Sequence, residues 1–410
     1  MFRSDTIRDL VRHPLFMTLY LPSMIFGISQ SMLVPIIPFY GEQLGASFEV
    51  IGIIFAASSV GMMLGELPAG LFVSRLGRKN AMLLGVGIAG LMTVSLFWAQ
   101  SVSMVILLRL IAGLGMALFA LARHEYVATA TLTGNRGRNI ALLGGIHRVA
   151  KFIGPTLATT LAWIFGIRAP FILFGVACVL VMIIVFYHMP SGKPKQKRSK
   201  LRGGYSLSLV KDNSNTIAFG GLGQLLVQMT RAGSSILVPL YAAEALGLDV
   251  SLVGPIVSIS AAIDMLLFYP AGWLMDNKGR KYAIVPSFTI QALALALIPL
   301  TTNFWGLAFI ASMVGMGNGL SAGTMMTVGS DLAPENMRGE FLGIWRLIGD
   351  TGNSGGQILV GQVAGLFALS TSAFTLAFVG AGAAIVFAFM IPETLEKSPP
   401  PVMQKIADKI

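Results

Sequence analysis

Apolar residues in this chain run in long blocks separated by short polar breaks, without the strict alternation of a half-buried strand. Twelve blocks can be marked, at 15–38, 49–72, 81–100, 103–126, 138–162, 169–189, 216–241, 251–275, 283–301, 305–328, 341–366 and 371–391. Each approaches or exceeds the roughly 20 residues that a helix needs to cross a bilayer. The pattern predicts an all-α integral membrane protein of twelve transmembrane helices. One long polar stretch, 190–213, divides it into a six-helix bundle over 1–189 and a second over 214–410, the latter ending in a short tail. The N-terminal residues lead into the first block without a cleavage-site pattern, so they read as an uncleaved start and not a signal peptide.

Composition sharpens this picture. Hydrophobic residues make up 55% of the 410 and charged residues 11%, against about 25% charged in soluble domains. That excludes a soluble enzyme, a disordered chain and a disulfide scaffold. Cys178 is alone, and His13, His124, His147 and His188 are scattered, so neither a metal site nor a cofactor is expected. The formal charge of +11 raises the possibility of nucleic acid, but the placement of the bases argues against it. Of the lysines and arginines, 22 fall in the tails, the 190–213 stretch and the breaks on one side, whereas the other side carries Arg168 among Glu42, Glu49, Glu244 and Asp249. By the positive-inside rule both termini and the 190–213 linker are cytoplasmic, and the expected location is a bacterial inner membrane. The linker itself reads as a solvated tether, with attraction to anionic lipid as the alternative.

The two halves repeat. Gly70-Leu-Phe-Val-Ser74-Arg75-Leu-Gly77-Arg78-Lys79 follows the second span, and Gly272-Trp-Leu-Met-Asp276-Asn-Lys-Gly279-Arg280-Lys281 follows the eighth, 202 residues later. Arg136-Gly137 and Arg338-Gly339 show the same offset. A repeat of six-helix halves suits a transporter, because two related bundles can rock about a central site.

In these residues the chain resembles the major facilitator superfamily, in its twelve-helix drug/proton-antiporter-like branch. Both loop segments resemble the family motif Gly-x-Leu-x-Asp-Arg-x-Gly-Arg-Lys. Arg109-x-x-x-Gly113-x-Gly115 is similar to a second family motif in span four, Gly154-Pro155 partly matches the antiporter motif of span five, and Pro35-x-x-Pro38 and Pro392-Glu393-Thr394 are also of the family's kind. The resemblance covers essentially the whole chain and implies alternating access between two bundles. It also implies a gate formed by Gly70, Ser74, Arg75, Gly77, Arg78, Glu125, Gly272, Asp276, Gly279 and Arg280, with Arg78 pairing with Glu125. Two positions depart from the pattern. Ser74 replaces an acid that in relatives meets the positive N-terminal end of span eleven, and a hydroxyl offers that end only a neutral hydrogen bond. Ala150 and Ala158 stand where the antiporter motif has glycines.

Ionisable residues inside spans are costly and mark pathways or buried pairs. Here they are Glu66, Arg109, Arg123, Glu125, Arg148, Lys151, Arg231, Asp264, Arg346 and Asp350, with none in spans three, six, nine or twelve. The family resemblance puts those four spans on the outside, facing lipid. Glu66, Arg123 and Glu125 lie near the cytoplasmic ends of their helices, where interfacial snorkelling is the plain alternative to a gate. Arg231 and Asp264, on neighbouring helices, and Arg346 and Asp350 at i,i+4 could each neutralise the other as a static pair, the alternative being a carboxylate that exchanges its partner. A carboxylate that can exchange a base for a proton is what coupled transport needs, so Asp264, Asp350 and Glu66 are the proton-carrier candidates. Arg148, Lys151, Arg231, Arg346, Arg109, Gln30 and Gln228 are the substrate-cavity candidates, with Gln224, Phe268 and Tyr269 as weaker ones; glutamines in spans also serve simply to hold helices together. Met325-Met326 reads as packing.

No Gly-x-x-x-x-Gly-Lys-Ser/Thr phosphate loop occurs, so an ion gradient must supply the energy. The expected function is secondary active transport of a small organic molecule, with proton-coupled efflux by antiport as the leading form and a monomer as the expected state. In-span bases outnumber acids six to four, which favours an anionic or zwitterionic cargo. That makes an organic-anion or metabolite importer or exchanger the alternative. A non-transporting sensor or scaffold of the same fold would not need the mid-span charges.

Overall fold

A computed structural model of the chain describes residues 15–130, 136–190 and 214–395. The predicted tails and nearly all of the predicted linker lie outside the described residues. Twelve spanning helices form, and no strand occurs among the described residues. Helix α1 is Leu21–Gln43, entered through a wide turn at Phe16–Tyr20. Helices α2 and α3 are one helical stretch, Phe48–Ser95, whose backbone departs from helix only at Gly77 (φ 79°, ψ 162°), so that 48–76 form α2 and 78–95 form α3. Then come α4 (Val102–Ala130), α5 (Arg136–Phe165) and α6 (Ala169–His188). The second half comprises α7 (Ser214–Leu240), α8 (Val250–Asn277), α9 (Arg280–Leu297), α10 (Phe304–Leu332), α11 (Arg338–Leu366) and α12 (Leu369–Ile385).

Local chemistry places several of these ends. Asp249 caps α8 by accepting from Ser251 N at 2.8 Å, and Asn303 caps α10 by accepting from Gly306 N at 2.9 Å. Where the sequence predicts loops between spans two and three and between eight and nine, the breaks shrink to Gly77 and to Lys278–Gly279. Gly279 has φ 129°, and a Cβ there would lie 2.4 Å from Glu393 Oε2, so no other residue fits this turn without strain. Span ten is predicted unbroken but is interrupted: helix runs over Phe304–Leu320, yields at 321–323 with Gly323 at φ 77°, and resumes over Thr324–Leu332.

Nine helical stretches among the described residues are long and apolar enough to cross a bilayer unaided. The three left over are α5, α7 and α11, which carry Arg148 and Lys151, Arg231, and Arg346 and Asp350. Arg148 of α5 is largely buried, whereas Arg346 of α11 is half exposed. Apolar side chains of α6 and α12, such as Val179, Phe186 and Phe378, are instead exposed. A soluble monomer rarely shows so much apolar surface, whereas lipid covers it without cost. Each half has its own aromatic core. Phe26 packs on Phe119 at 4.6 Å between ring centres in the first, and Phe341 stacks on Trp345 at 6.2 Å in the second.

The halves meet through two related crossings, α5 on α8 and α2 on α11. At the end away from the repeated basic segments each crossing is tight. A Cβ on Gly254 would lie 2.0 Å from Thr159 Oγ1 and 2.5 Å from Pro155 O, and one on Gly52 would lie 2.9 Å from Gln357 O and 3.0 Å from Gly361 Cα. All three residue pairs (52 and 254, 155 and 357, 159 and 361) are 202 apart, so the contact follows the repeat.

Candidate functional site

Beside the α5–α8 crossing lies a cavity of about 240 Å³, walled by α1, α5, α7, α8 and α10. Its charged lining consists of Arg148 and Lys151 from α5, Arg231 from α7 and Asp264 from α8: three bases and one acid. Asp264 is 14 residues into α8, about 21 Å along the helix at 1.5 Å per residue, which puts it near the helix middle. The glycine crossings shut this cavity from one end of the molecule. The Lys151 side chain in this cavity is exposed.

The partnerships differ from those the sequence suggests. Asp264 does not take Arg231 as its ion-pair partner; it pairs across the two halves with Arg148, Nε donating to Oδ1 at 3.2 Å. Both side chains are largely buried, 16% and 13% exposed. The Arg148 guanidinium lies over the Phe268 ring, 4.2 Å from its centre, which fixes its plane. Arg231 instead donates from Nη2 to Ser321 O and to Ser321 Oγ, both at 2.7 Å. The physical reason is the break in α10, whose interrupted turn presents polar groups that a guanidinium can satisfy. Among the described residues, Lys151 has no ion-pair or hydrogen-bond partner, and the buried Asn318 Oδ1 in the same cavity also lacks one.

Other candidates sit elsewhere. Arg346 donates from Nη2 to Glu66 Oε1, across the halves, and lies 3.8 Å from Asp350 on its own helix. This group is the more open one, with the Arg346 side chain 50% exposed and that of Glu66 27%. Arg109 is buried between α4 and α2, donating to Ser58 Oγ at 2.8 Å and to Ile54 O, outside the central cavity. Gln30 lines a smaller cavity of about 130 Å³ within the first half, with Arg123 and His147. Gln228 and Gln224 pack beside Gly349 and Gly352, where α7 meets α11. Phe268 touches the site only through Arg148, and Tyr269 is 84% exposed on the outer face. Asn318 and Ser321 were not among the sequence candidates. Their signal was the small-residue run Gly315-Met-Gly317-Asn-Gly319-Leu-Ser321-Ala-Gly323, which a continuous spanning helix does not need.

Comparison with known proteins decides the family. The sequence model of the Major Facilitator Superfamily matches residues 19–356 and again 220–409. The chain belongs to the Major Facilitator Superfamily. Among its relatives, an uncharacterized MFS-type transporter of Methanocaldococcus jannaschii is 22% identical over 82% of this chain and 87% of the relative. The probable galactarate/D-glucarate transporter of Bacillus subtilis is 24% identical, covering 83% of each. A multidrug resistance protein of Salmonella choleraesuis is 22% identical over 83% of this chain and 86% of the relative. The crystal structure of a D-xylose-proton symporter superposes with a TM-score of 0.74 at 15% identity, covering 93% of this chain and 98% of that one.

As in the superfamily's repeat, the two loop segments of this chain are built alike, but not identically. Lys79 Nζ donates to Phe186 O at 2.6 Å, and Lys281 Nζ donates to Ala388 O at 2.9 Å; donors and acceptors are again 202 apart. Arg280 donates to Asp331 Oδ2, Asp276 Oδ1 and Met275 O, all within 3.1 Å. Its counterpart Arg78 lies over the Tyr126 ring at 5.8 Å. Ser74, at the position equivalent to Asp276, donates only to Leu71 O of its own helix. The carboxylate of Glu393, beyond α12, accepts from Arg280 N and Lys281 N at 2.8 and 3.0 Å, capping the first turn of α9.

Proposed function

We propose that this membrane transporter is a secondary active carrier for a small organic solute bearing an anionic group, driven by protons. The observation that carries the reading is the cavity lining of three bases and one acid. A cationic drug would enter a field of its own sign there, whereas a carboxylate or zwitterion would meet Lys151 unengaged. The volume of about 240 Å³ lies below the roughly 300–1,000 Å³ of pockets for drug-sized ligands. The Bacillus subtilis relative is a probable galactarate/D-glucarate transporter, and a sugar acid fits the same chemistry.

In this reading the basic segments, both tails and the linker face the cytoplasm of a bacterial inner membrane, so the conformation is open inward. Asp264 is the proton carrier, and the Arg148–Asp264 pair is the element whose state changes during the cycle. Arg78, Glu125 and the two loop segments form the cytoplasmic gate, while the Arg346–Glu66 pair ties α11 to α2 in this conformation. Proton-coupled efflux is the second reading, supported by Gly154-Pro155 and by the multidrug resistance relative. The test is proteoliposome transport under an imposed pH gradient, offering small carboxylates and lipophilic cations in parallel. Gradient-driven movement of a carboxylate supports the first reading. Movement of cations alone overturns it in favour of the second.

A further inference from the structure

The first half holds a cavity of its own, about 130 Å³, whose lining comes from α1, α2, α4 and α5 and shares no residue with the central one. Its polar groups are Ser23 and Gln30 of α1, Arg123 of α4 and His147 of α5, with no acid among the described lining residues. These groups are poorly satisfied from within. Arg123 makes no ion pair among the described residues. Its guanidinium lies 5.8 Å from the centre of the Phe119 ring, and its Nε is buried without a hydrogen-bond partner. Ser23 is 4% exposed, and its Oγ also lacks a partner. An unpaired guanidinium and hydroxyl inside a span are costly, and the partner that relieves both is one that accepts hydrogen bonds and carries negative charge. The fold itself does not require these groups. At the positions 202 residues later the second half has Leu225, Ala232, Met325 and Gly349. There the indole of Trp345, standing where the first half has Leu143, is 5% exposed and donates from Nε1 to Met325 O at 3.0 Å. The first half keeps a space lined by hydrogen-bond donors where the second has packed an aromatic ring.

We propose that this cavity is a second binding site, for a small inorganic oxyanion of the phosphate or sulfate type. The Arg123 guanidinium supplies the charge and a fork of N–H donors, while Ser23, Gln30 and His147 supply donors from two further helices. Donors converging from three helices suit a tetrahedral group better than the planar, one-sided carboxylate of an organic solute. The volume agrees, since drug-sized organic ligands occupy roughly 300–1,000 Å³. A lipid headgroup phosphate presents the same oxygens, so the free ion and the lipid are tested side by side. Every lining residue belongs to the first half, so rocking of one half against the other leaves the site intact. An ion bound there is a fixed co-ligand that ties α1, α4 and α5 together. The central cavity, by contrast, draws on both halves and changes with each cycle.

The test uses the purified full chain in detergent at constant ionic strength. It is titrated calorimetrically with sodium phosphate, sodium sulfate and a short-chain phosphatidylglycerol, with sodium chloride as the reference salt. At least one of the two oxyanions is expected to bind and to raise the unfolding temperature. Arg123→Gln should weaken that binding by about ten- to a hundredfold, through lost hydrogen bonds to a charged group, and Ser23→Ala should weaken it severalfold. Lys151→Gln should bind as the parent does, because Lys151 lines the other cavity. Leu143→Trp, which copies the second half, should abolish binding by filling the space; should that variant fail to fold, Arg123→Gln and Ser23→Ala decide. Binding that is lost in Lys151→Gln and kept in Arg123→Gln puts the ion in the central cavity and overturns the proposal. Binding of phosphatidylglycerol with neither oxyanion overturns the free ion as the occupant. Binding and stabilisation no greater than those given by chloride overturn the site.

Discussion

At the α5–α8 crossing the base comes from the first half and the acid from the second, whereas at the α2–α11 crossing Glu66 comes from the first and Arg346 from the second. The repeat makes these crossings equivalent, and Arg148 and Asp350 even occupy equivalent positions, 202 apart. Yet one pair is largely buried in the cavity wall and the other is open to solvent. A buried pair is expensive to break and sensitive to any competing charge, which suits a cargo-responsive element. A more exposed pair contributes about 0–1 kcal/mol and is the weaker tie between the halves.

The largest effect is expected where the crossings are tightest. Gly254→Leu should cut transport by about 5- to 150-fold, because overpacking by about 1–3 kcal/mol opposes closure of that end. Gly52→Leu, with roomier contacts, should cost less, and Gly254→Ala should exceed Gly52→Ala in the same order. Accessibility of cysteines introduced near residues 47 and 249 would report the end that stays open. Equal effects of the two glycines would mean that the crossings do not differ in tightness.

Next come the acids. Asp264→Asn should abolish accumulation driven by a pH gradient in proteoliposomes, while Glu66→Gln should slow it only severalfold. A reversal would move the proton carrier to the open crossing. Stability should separate the pairs in the same sense. Arg148→Gln strands a buried carboxylate and should cost about 3–5 kcal/mol, against about 0–1 kcal/mol for Arg346→Gln; thermal unfolding in detergent measures both.

The smallest effect concerns the second loop segment and its acid Glu393, whose equivalent 202 residues earlier in the sequence is Ser191. Burial alone would raise the Glu393 carboxyl, but backbone N–H groups of Leu395, Arg280, Lys281 and Thr394 outweigh it and hold it below its ordinary 4.5. A carboxyl lowered by folding stabilises fully above that ordinary value, and the contribution is lost as pH falls through the lowered one. Glu393→Gln should therefore lower stability by about 1 kcal/mol or less at neutral pH. The difference from the parent should vanish in acid, and a difference that persists there would assign the effect to packing.

Much of this was legible in the sequence. Twelve apolar blocks, the 202-residue register and the membrane fold all read directly from residue type, because lipid exposure imposes a composition that no neighbour can override. Arg148, Lys151, Arg231 and Asp264 were each marked by the cost of a mid-span charge, and they do share one cavity. Their partners were not legible. Arg148 and Asp264 are 116 residues apart on opposite halves, and which base an acid meets depends on how the halves are tilted, a long-range property. Arg109 looked like a cavity residue for the same reason of cost, but a buried arginine is equally well satisfied by Ser58 and the Ile54 carbonyl. The break in α10 escaped because apolar composition continues through it; only the glycine spacing betrays it.

That break has a consequence for how the chain is made. The two pieces of α10 hold 17 and 9 residues, about 25 Å and 14 Å of helix, and neither alone covers a hydrocarbon core of about 30 Å. The polar groups at Ser321 have their partner in Arg231, which is synthesised 90 residues earlier. In chain order, α7, which is not apolar enough to cross a bilayer unaided, precedes the segment that satisfies its arginine. A chain stopped before residue 321 should therefore leave Arg231 of α7 without these partners and α7 poorly anchored in the membrane.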